Sequence, residues 1–223
     1  MTIDAVVALK TRSESKRRLS AVLSDEQRCG LVEAMAQDVL SCLMTHPEID
    51  TVHAVCGEGW TRSAFPEGSL MVWEDGESQE DGLIAAYEMI AARTAAEGLL
   101  FIHADLPFLG HEDISAVVAA SLDHHAVLSP DLTETGTNAV LRWRHQSLPL
   151  CFGKDSFARH QQAAKATETL WRVVRASGVA LDVDEPADLD RLDGNDPGLG
   201  EATARWSVYN DINVPLSATH GAH

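Results

Sequence analysis

Asp182 and Asp184, in the segment Val179-Ala-Leu-Asp-Val-Asp-Glu-Pro186, are the residues whose type and spacing most suggest chemistry. Read as a strand over 179–183, the segment projects both carboxylates from one face, because successive strand side chains alternate. Neighbouring carboxylates repel each other, and burying them unpaired is costly. A hard cation such as Mg²⁺ removes that cost, since it takes oxygen ligands from one or two carboxylates together with substrate phosphates. The competing reading is a solvated strand end that runs into a proline turn. A short echo, Asp211-Ile-Asn213-Val-Pro215, repeats the spacing and is a rival position for the same metal.

The basic residues are unevenly placed. The formal net charge is −17, yet Lys10, Arg12, Lys16, Arg17 and Arg18 fall within nine positions near the start. A broadly negative surface argues against nucleic acid or an acidic membrane as partner. One basic loop in such a protein suits a small polyanion; a solvated loop tip is the alternative. Two further stretches, Thr135-Gly-Thr-Asn-Ala139 and Phe152-Gly-Lys-Asp-Ser-Phe157, combine small residues, hydroxyls and exposed backbone N–H groups. Such loops bind phosphate or carboxylate oxygens without adding charge.

These residues need a scaffold. Residues 3–9 read as a buried first strand, and Ser24-Asp-Glu-Gln27 as a capping box opening a helix to about residue 44. Further strands are expected at 51–55, 70–73, 99–103, 126–128, 139–143, 171–174 and 179–183. Helices are expected at 82–96, 112–122 and 157–166. Strands alternating with helices predict an α/β fold with a mostly parallel sheet flanked by helices, in which ligands bind beyond the carboxyl ends of strands. The basic loop and Asp105 both occupy such ends. After Leu192 the texture turns linker-like, so a domain over 1–192 is expected, with an extension over 193–223. In that extension 204–214 reads as a strand and the last residues as disordered.

Cysteines 29, 42, 56 and 151 form no C-x-x-C pair, and the ten histidines offer no zinc-ligand spacing. No signal peptide opens the sequence and no run is long enough to span a membrane, so a cytoplasmic protein is expected. Trp143, Trp171 and Phe101 read as core. His160 could contact a substrate or cap or pack a helix, and Arg159 could reach a phosphate or form an intrahelical ion pair.

Five motifs in order resemble the 2-phospho-L-lactate guanylyltransferase family. They are Lys16-Arg-Arg-Leu19, Ala104-Asp-Leu-Pro107, Asp131 with Gly136-Thr-Asn-Ala139, Phe152-Gly-x-x-Ser-Phe-x-Arg-His160, and Leu181-Asp-Val-Asp-x-Pro-x-Asp-Leu189. The resemblance covers roughly residues 3–192. It implies a Rossmann-like, three-layer fold of the nucleotide-diphospho-sugar-transferase type. It also implies transfer of GMP from GTP to 2-phospho-L-lactate, phosphoenolpyruvate or 3-phospho-D-glycerate, with release of pyrophosphate, in the making of the deazaflavin coenzyme F-420.

By the same resemblance, Asp105, Asp182 and Asp184 would hold Mg²⁺, and Lys16 and Arg18 would offset the triphosphate and the departing pyrophosphate. Lys10, Lys16 and Gly82 would meet the nucleotide, while Thr137, Gly153 and Ser156 would hold the phospho-acid. A homodimer is compatible with the resemblance. The sequence departs from the family at Gly82-Leu-Ile84, where the family carries Gly-Leu-Asn, and isoleucine cannot hydrogen-bond a base or ribose. The first loop, Ala8-Leu-Lys-Thr11, also lacks the usual proline. Those departures keep two alternatives open: another nucleotidyltransferase of this fold with a molybdopterin or sugar-phosphate acceptor, and a non-catalytic nucleotide-binding protein.

Overall fold

The computed structural model describes residues 2–68, 70–73 and 80–212. Among the described residues seven strands form one sheet: β1 (Ile3–Leu9), β2 (Thr51–Cys56), β3 (Leu70–Trp73), β4 (Gly98–Ile102), β5 (Ala126–Pro130), β6 (Thr137–Trp143) and β7 (Trp171–Val173). Their spatial order is β3-β2-β1-β4-β6-β5-β7. Every neighbouring pair is parallel except the two that involve β6. Reversal of β6 has a functional consequence. Its first residues, rather than its last, lie beside the carboxyl ends of β1 and β4, as the bond from His103 N to Asn138 O (3.0 Å) shows.

The central strands are buried on both faces, which explains their near-continuous apolar sequence. Ile3, Ala5, Val7 and Leu9 pack on one side with α1 (Asp25–Thr45) and α3 (His111–Ala120). Val6 packs on the other side with Tyr87 and Ile90 of α2 (Glu80–Arg93) and Phe157 of α4 (Ser156–Ala166). β4 alternates in the same way, with Leu100 and Ile102 toward the first layer and Leu99 and Phe101 toward the second. Helix α1 starts at the expected capping box, in which Ser24 Oγ accepts from Gln27 N at 3.2 Å and Gln27 Oε1 from Ser24 N at 3.0 Å.

Two expected strands are not strands. Residues Ser177–Ala180 form a helical turn, α5, and residues 181–184 run irregularly across the end of the sheet. Gly178 explains the change. A Cβ there would lie 2.2 Å from Asp113 Oδ2 and 2.3 Å from Phe108 O, and the Gly178 N–H donates to Asp113 Oδ1 at 3.1 Å. This close approach draws the chain against the start of α3 instead of along a sheet edge. Residues Glu201–Tyr209, which overlap the 204–214 span expected as a strand, form helix α6. Its buried residues Ala202, Thr203, Trp206 and Ser207 follow helical spacing and seat it on the outer face of α1. Asp38 of α1 accepts from Ala202 N and Thr203 N, both at 2.8 Å, and so satisfies donors that a helix N-terminus leaves open.

Asp211 lies in the turn after α6, and Asn213 of the rival motif lies outside the described residues. Among the described residues no helix is long and apolar enough to cross a membrane.

Candidate active site

At the carboxyl ends of β1 and β4 lies a cleft of about 650 Å³. The basic loop after β1 forms one wall. Two 3-10 turns, Arg12–Glu14 and Arg17–Ala21, flank Lys16, which has a left-handed backbone (φ 55°, ψ 39°). Buried Arg28 of α1 fixes this loop from beneath. Its guanidinium donates to Ser13 O (2.9 Å), Ser15 O (2.5 Å) and Asp25 Oδ1 (2.7 Å). No sequence motif singles out Arg28; the available signal is a lone arginine on the apolar face that also carries Leu31 and Val32.

So held, Lys16 turns inward. Its ammonium donates to Asp105 Oδ2 and, at 2.5 Å, to Asp184 Oδ1. Burial works against the ammonium, but the two carboxylates outweigh it and keep Lys16 firmly protonated. Burial likewise opposes the Asp105 charge, and Lys16 overrides it, holding that carboxyl below its usual range.

Asp182 points the other way and accepts from Asn138 Nδ2 at 3.1 Å, a nitrogen that also donates to Val179 O at 2.9 Å. Burial, then the charge of Asp105, pushes the Asp182 carboxyl up to about 6. Among the described residues Asp105 Oδ1 is buried without a hydrogen-bond partner. The three carboxylates thus share one cleft as the sequence suggests, though an irregular segment, not a strand, brings Asp182 and Asp184 there.

Among the described residues no three Asp, Glu, His or Cys side chains are arranged as a ready metal cage, and Lys16 occupies two of the expected ligands. The donor chemistry nevertheless fits a hard cation. The orphaned oxygen of Asp105, and the burial and Asp105 charge that raise the Asp182 carboxyl, mark a spot where added positive charge would be favourable.

The opposite wall comes from the hairpin entering β6 and from the start of α4. The Asp131 carboxylate accepts from Thr135 N (3.0 Å), Gly136 N (2.9 Å) and the Thr133 hydroxyl (3.0 Å), which folds the Thr/Gly loop. Thr137 N donates to Ser156 Oγ at 2.8 Å. His160, fully buried on α4, accepts from Cys151 N at its Nε2 (2.8 Å) and places Nδ1 3.1 Å from Thr137 Oγ1. Burial pushes the His160 pKa down to about 4, despite a hydrogen bond with the Ser156 backbone that acts the other way. Gly153 takes φ +104°, a region that disfavours side chains, and turns the chain so that Ser156 opens α4.

The remaining expected residues are more dispersed. Lys10 and Arg18 line the cleft; Arg18 is 3.3 Å from Glu185 on its exposed rim, and Trp60 Nε1 donates to Lys10 O at 2.8 Å. Gly82 falls in the first turn of α2, and Ile84 packs against the apolar layer beneath that helix. Arg159 donates to Phe152 O at 3.4 Å.

The fold aligns with a protein of Desulfovibrio desulfuricans G20 assigned as a nucleotide-diphospho-sugar transferase. The TM-score is 0.73 at 14% sequence identity, covering 95% of this chain and 97% of that one. Sheet order, the reversed β6 and the cleft at the strand ends define an α/β fold of the nucleotide-diphospho-sugar-transferase type. The family model described as "Guanylyl transferase CofC like" matches residues 3–197, and the chain belongs to that family. It is 34% identical over 198 residues to the phosphoenolpyruvate guanylyltransferase of Sphaerobacter thermophilus, covering 88% of this chain and 95% of the relative. It is 31% identical over 192 residues to the 3-phospho-D-glycerate guanylyltransferase of Phenylobacterium zucineum, covering 83% and 87%.

Proposed function

We propose that this guanylyltransferase moves GMP from GTP to the phosphate of a small phosphorylated acid, phosphoenolpyruvate, 3-phospho-D-glycerate or 2-phospho-L-lactate, in coenzyme F-420 biosynthesis. The observation that carries the reading is the pairing of walls. The acid-bound ammonium of Lys16 lies across one cleft from the hydroxyls of Thr137 and Ser156. A phosphate oxygen of the acceptor attacks the α-phosphorus of GTP, the new P–O bond forms, and the bond to the β-phosphate oxygen breaks to release pyrophosphate.

A phosphate monoester has a second pKa near about 6 and is already ionised at neutral pH, so no general base is needed. The barrier lies in joining two polyanions and in stabilising charge at phosphorus, which is positioning plus electrostatics. Lys16 supplies a fixed positive charge whose proton its carboxylate partners secure. Lys10 and Arg18 add charge along the same wall, and Thr137, Gly153 and Ser156 orient the acceptor. Asp105, Asp182 and Asp184 would hold Mg²⁺, which when bound neutralises phosphate charge and clamps the reacting oxygens.

The test is pyrophosphate release from purified protein with Mg²⁺, each nucleoside triphosphate and each of the three acids in turn. Release that requires GTP and at least one acid is expected. No release with any acid refutes the assignment, and equal rates with other nucleotides refute the guanine preference, which Ile84 makes worth measuring.

A further inference from the structure

We propose that His160 is a positioning residue that makes the Thr137 hydroxyl a hydrogen-bond donor toward an anionic oxygen of the acceptor. The inference rests on the acceptor binding at Thr137 and Ser156, and it begins from the tautomer of one buried ring. An amide N–H can only donate, so the 2.8 Å bond from Cys151 N requires a lone pair on His160 Nε2. In a neutral imidazole the proton then sits on Nδ1. That nitrogen lies 3.1 Å from Thr137 Oγ1, so it cannot accept from the hydroxyl and instead turns its proton toward it, sharing that proton with the Ser156 backbone. With its lone pair engaged by the ring, the Thr137 oxygen keeps its own proton for another partner.

The neighbouring hydroxyl is treated alike. Ser156 Oγ accepts the Thr137 N–H at 2.8 Å and also retains a proton to give. Both residues line the cleft. Two adjacent hydroxyls, each accepting from the protein, thus form a donor pair suited to a carboxylate or phosphate oxygen. The opposite tautomer would reverse the polarity: Thr137 would donate to Nδ1, and its lone pairs would face, and repel, an anion. Cys151 N prevents that tautomer, because Nε2–H would meet the amide N–H head on. Burial keeps the ring neutral at working pH, as its depressed pKa indicates.

Two near-isosteric variants separate the ring nitrogens. In His160→Asn the amide nitrogen sits near the former Nδ1 and can still donate to Thr137. In His160→Gln the amide sits near the former Nε2, so the acceptor for Cys151 survives and the donor to Thr137 does not. Pyrophosphate-release kinetics should show the acceptor KM raised roughly tenfold in His160→Gln and much less in His160→Asn, with the KM for GTP unchanged in both. A histidine that merely packs α4 would lower the melting temperature of both variants and leave acceptor KM alone, and that result overturns the proposal. Should a variant fail to fold, ¹⁵N NMR of the wild-type His160 ring decides: an Nδ1–H tautomer is expected, and Nε2–H overturns it. Wild-type protein inactive with every phospho-acid would refute the function itself, whereas active wild-type protein with an unaltered His160→Gln refutes the relay alone.

Discussion

The Lys16 ammonium lies 2.5 Å from Asp184 Oδ1, although 168 residues separate the two along the chain. With Asp105 as its second partner, this lysine ties the first loop of the fold to the segment that follows α5. A buried ammonium held between two carboxylates cannot serve as a proton donor or acceptor near neutral pH. The role we propose for it is that of a fixed charge, already oriented before substrates arrive.

The first prediction follows from that role. Lys16→Met should lower the rate of pyrophosphate release by roughly 10²–10³-fold, the effect of removing one preorganised electrostatic contact at a phosphoryl centre. Lys16→Arg should not restore it, because a planar guanidinium does not fit between the two carboxylates as a compact ammonium does. Single-turnover kinetics at saturating GTP checks both.

The carboxylates make a second prediction. Chelation of divalent cations should abolish turnover, with Mg²⁺ restoring it, and Asp105→Asn or Asp182→Asn should raise the Mg²⁺ concentration needed for half-maximal rate. Asp211→Asn should leave that concentration unchanged, since Asp211 sits in the turn after α6 and not in the cleft wall. Full activity in Asp182→Asn with loss in Asp211→Asn would move the metal to the rival motif.

Much of this site was legible in the sequence because its residues sit where local rules are strong. The first strand, the Ser24–Gln27 capping box and the Asp105 strand end follow from hydrophobic runs and turn chemistry. For Asp182 and Asp184 the strand pattern leads to the cleft for a partly wrong reason. Their segment has the apolar alternation of a strand, but Gly178 lets it pack against Phe108 and Asp113, a contact that local pattern does not encode. Reversal of β6 was equally hidden, since strand direction depends on pairing rather than on side-chain type. The inward turn of Arg28 and the Nδ1–H tautomer of His160 each depend on backbone groups 13 and 9 residues away that only the folded chain brings near.

Arg28 makes a third prediction. Its guanidinium bridges Ser13 O, Ser15 O and Asp25, bonds that a single ammonium cannot reproduce in the same geometry. Arg28→Lys should therefore loosen the loop over 10–21, raise the KM for GTP several-fold and speed proteolysis within the loop. An unchanged KM would show that substrate alone orders Lys16.

A fourth concerns α6. Trp206 is buried against Leu31 and Met35 of α1 and donates its indole N–H to Gln27 O at 3.1 Å. Trp206→Ala should destabilise the fold by about 3 kcal/mol through the cavity and the lost bond, measured by urea unfolding. Asp38→Ala, which removes the acceptor for two amides at the start of α6, should cost about 1 kcal/mol. Neither should alter acceptor KM, since both side chains lie on the far face of α1 from the sheet.

Buried His160 makes the last prediction, in stability rather than rate. The charged groups that act on it are Arg159 and His103, which oppose its protonation together with burial, while the Ser156 backbone favours it. Its other neighbours, the Thr137 hydroxyl, the Cys151 amide and the Phe152 ring, carry no charge. Above about pH 6.5 the ring is neutral in both folded and unfolded chains and contributes no pH dependence. Between about 6.5 and about 4 the unfolded chain takes up a proton that the folded one refuses, so stability falls as pH falls through that window. The full shift corresponds to about 3 kcal/mol, an upper figure for one buried group. Comparing wild type with His160→Asn isolates this ring from the carboxylates that titrate lower. The stability difference between them should shrink as pH drops from 7 to 4. A constant difference would mean that His160 titrates in the folded protein as it does in the unfolded chain.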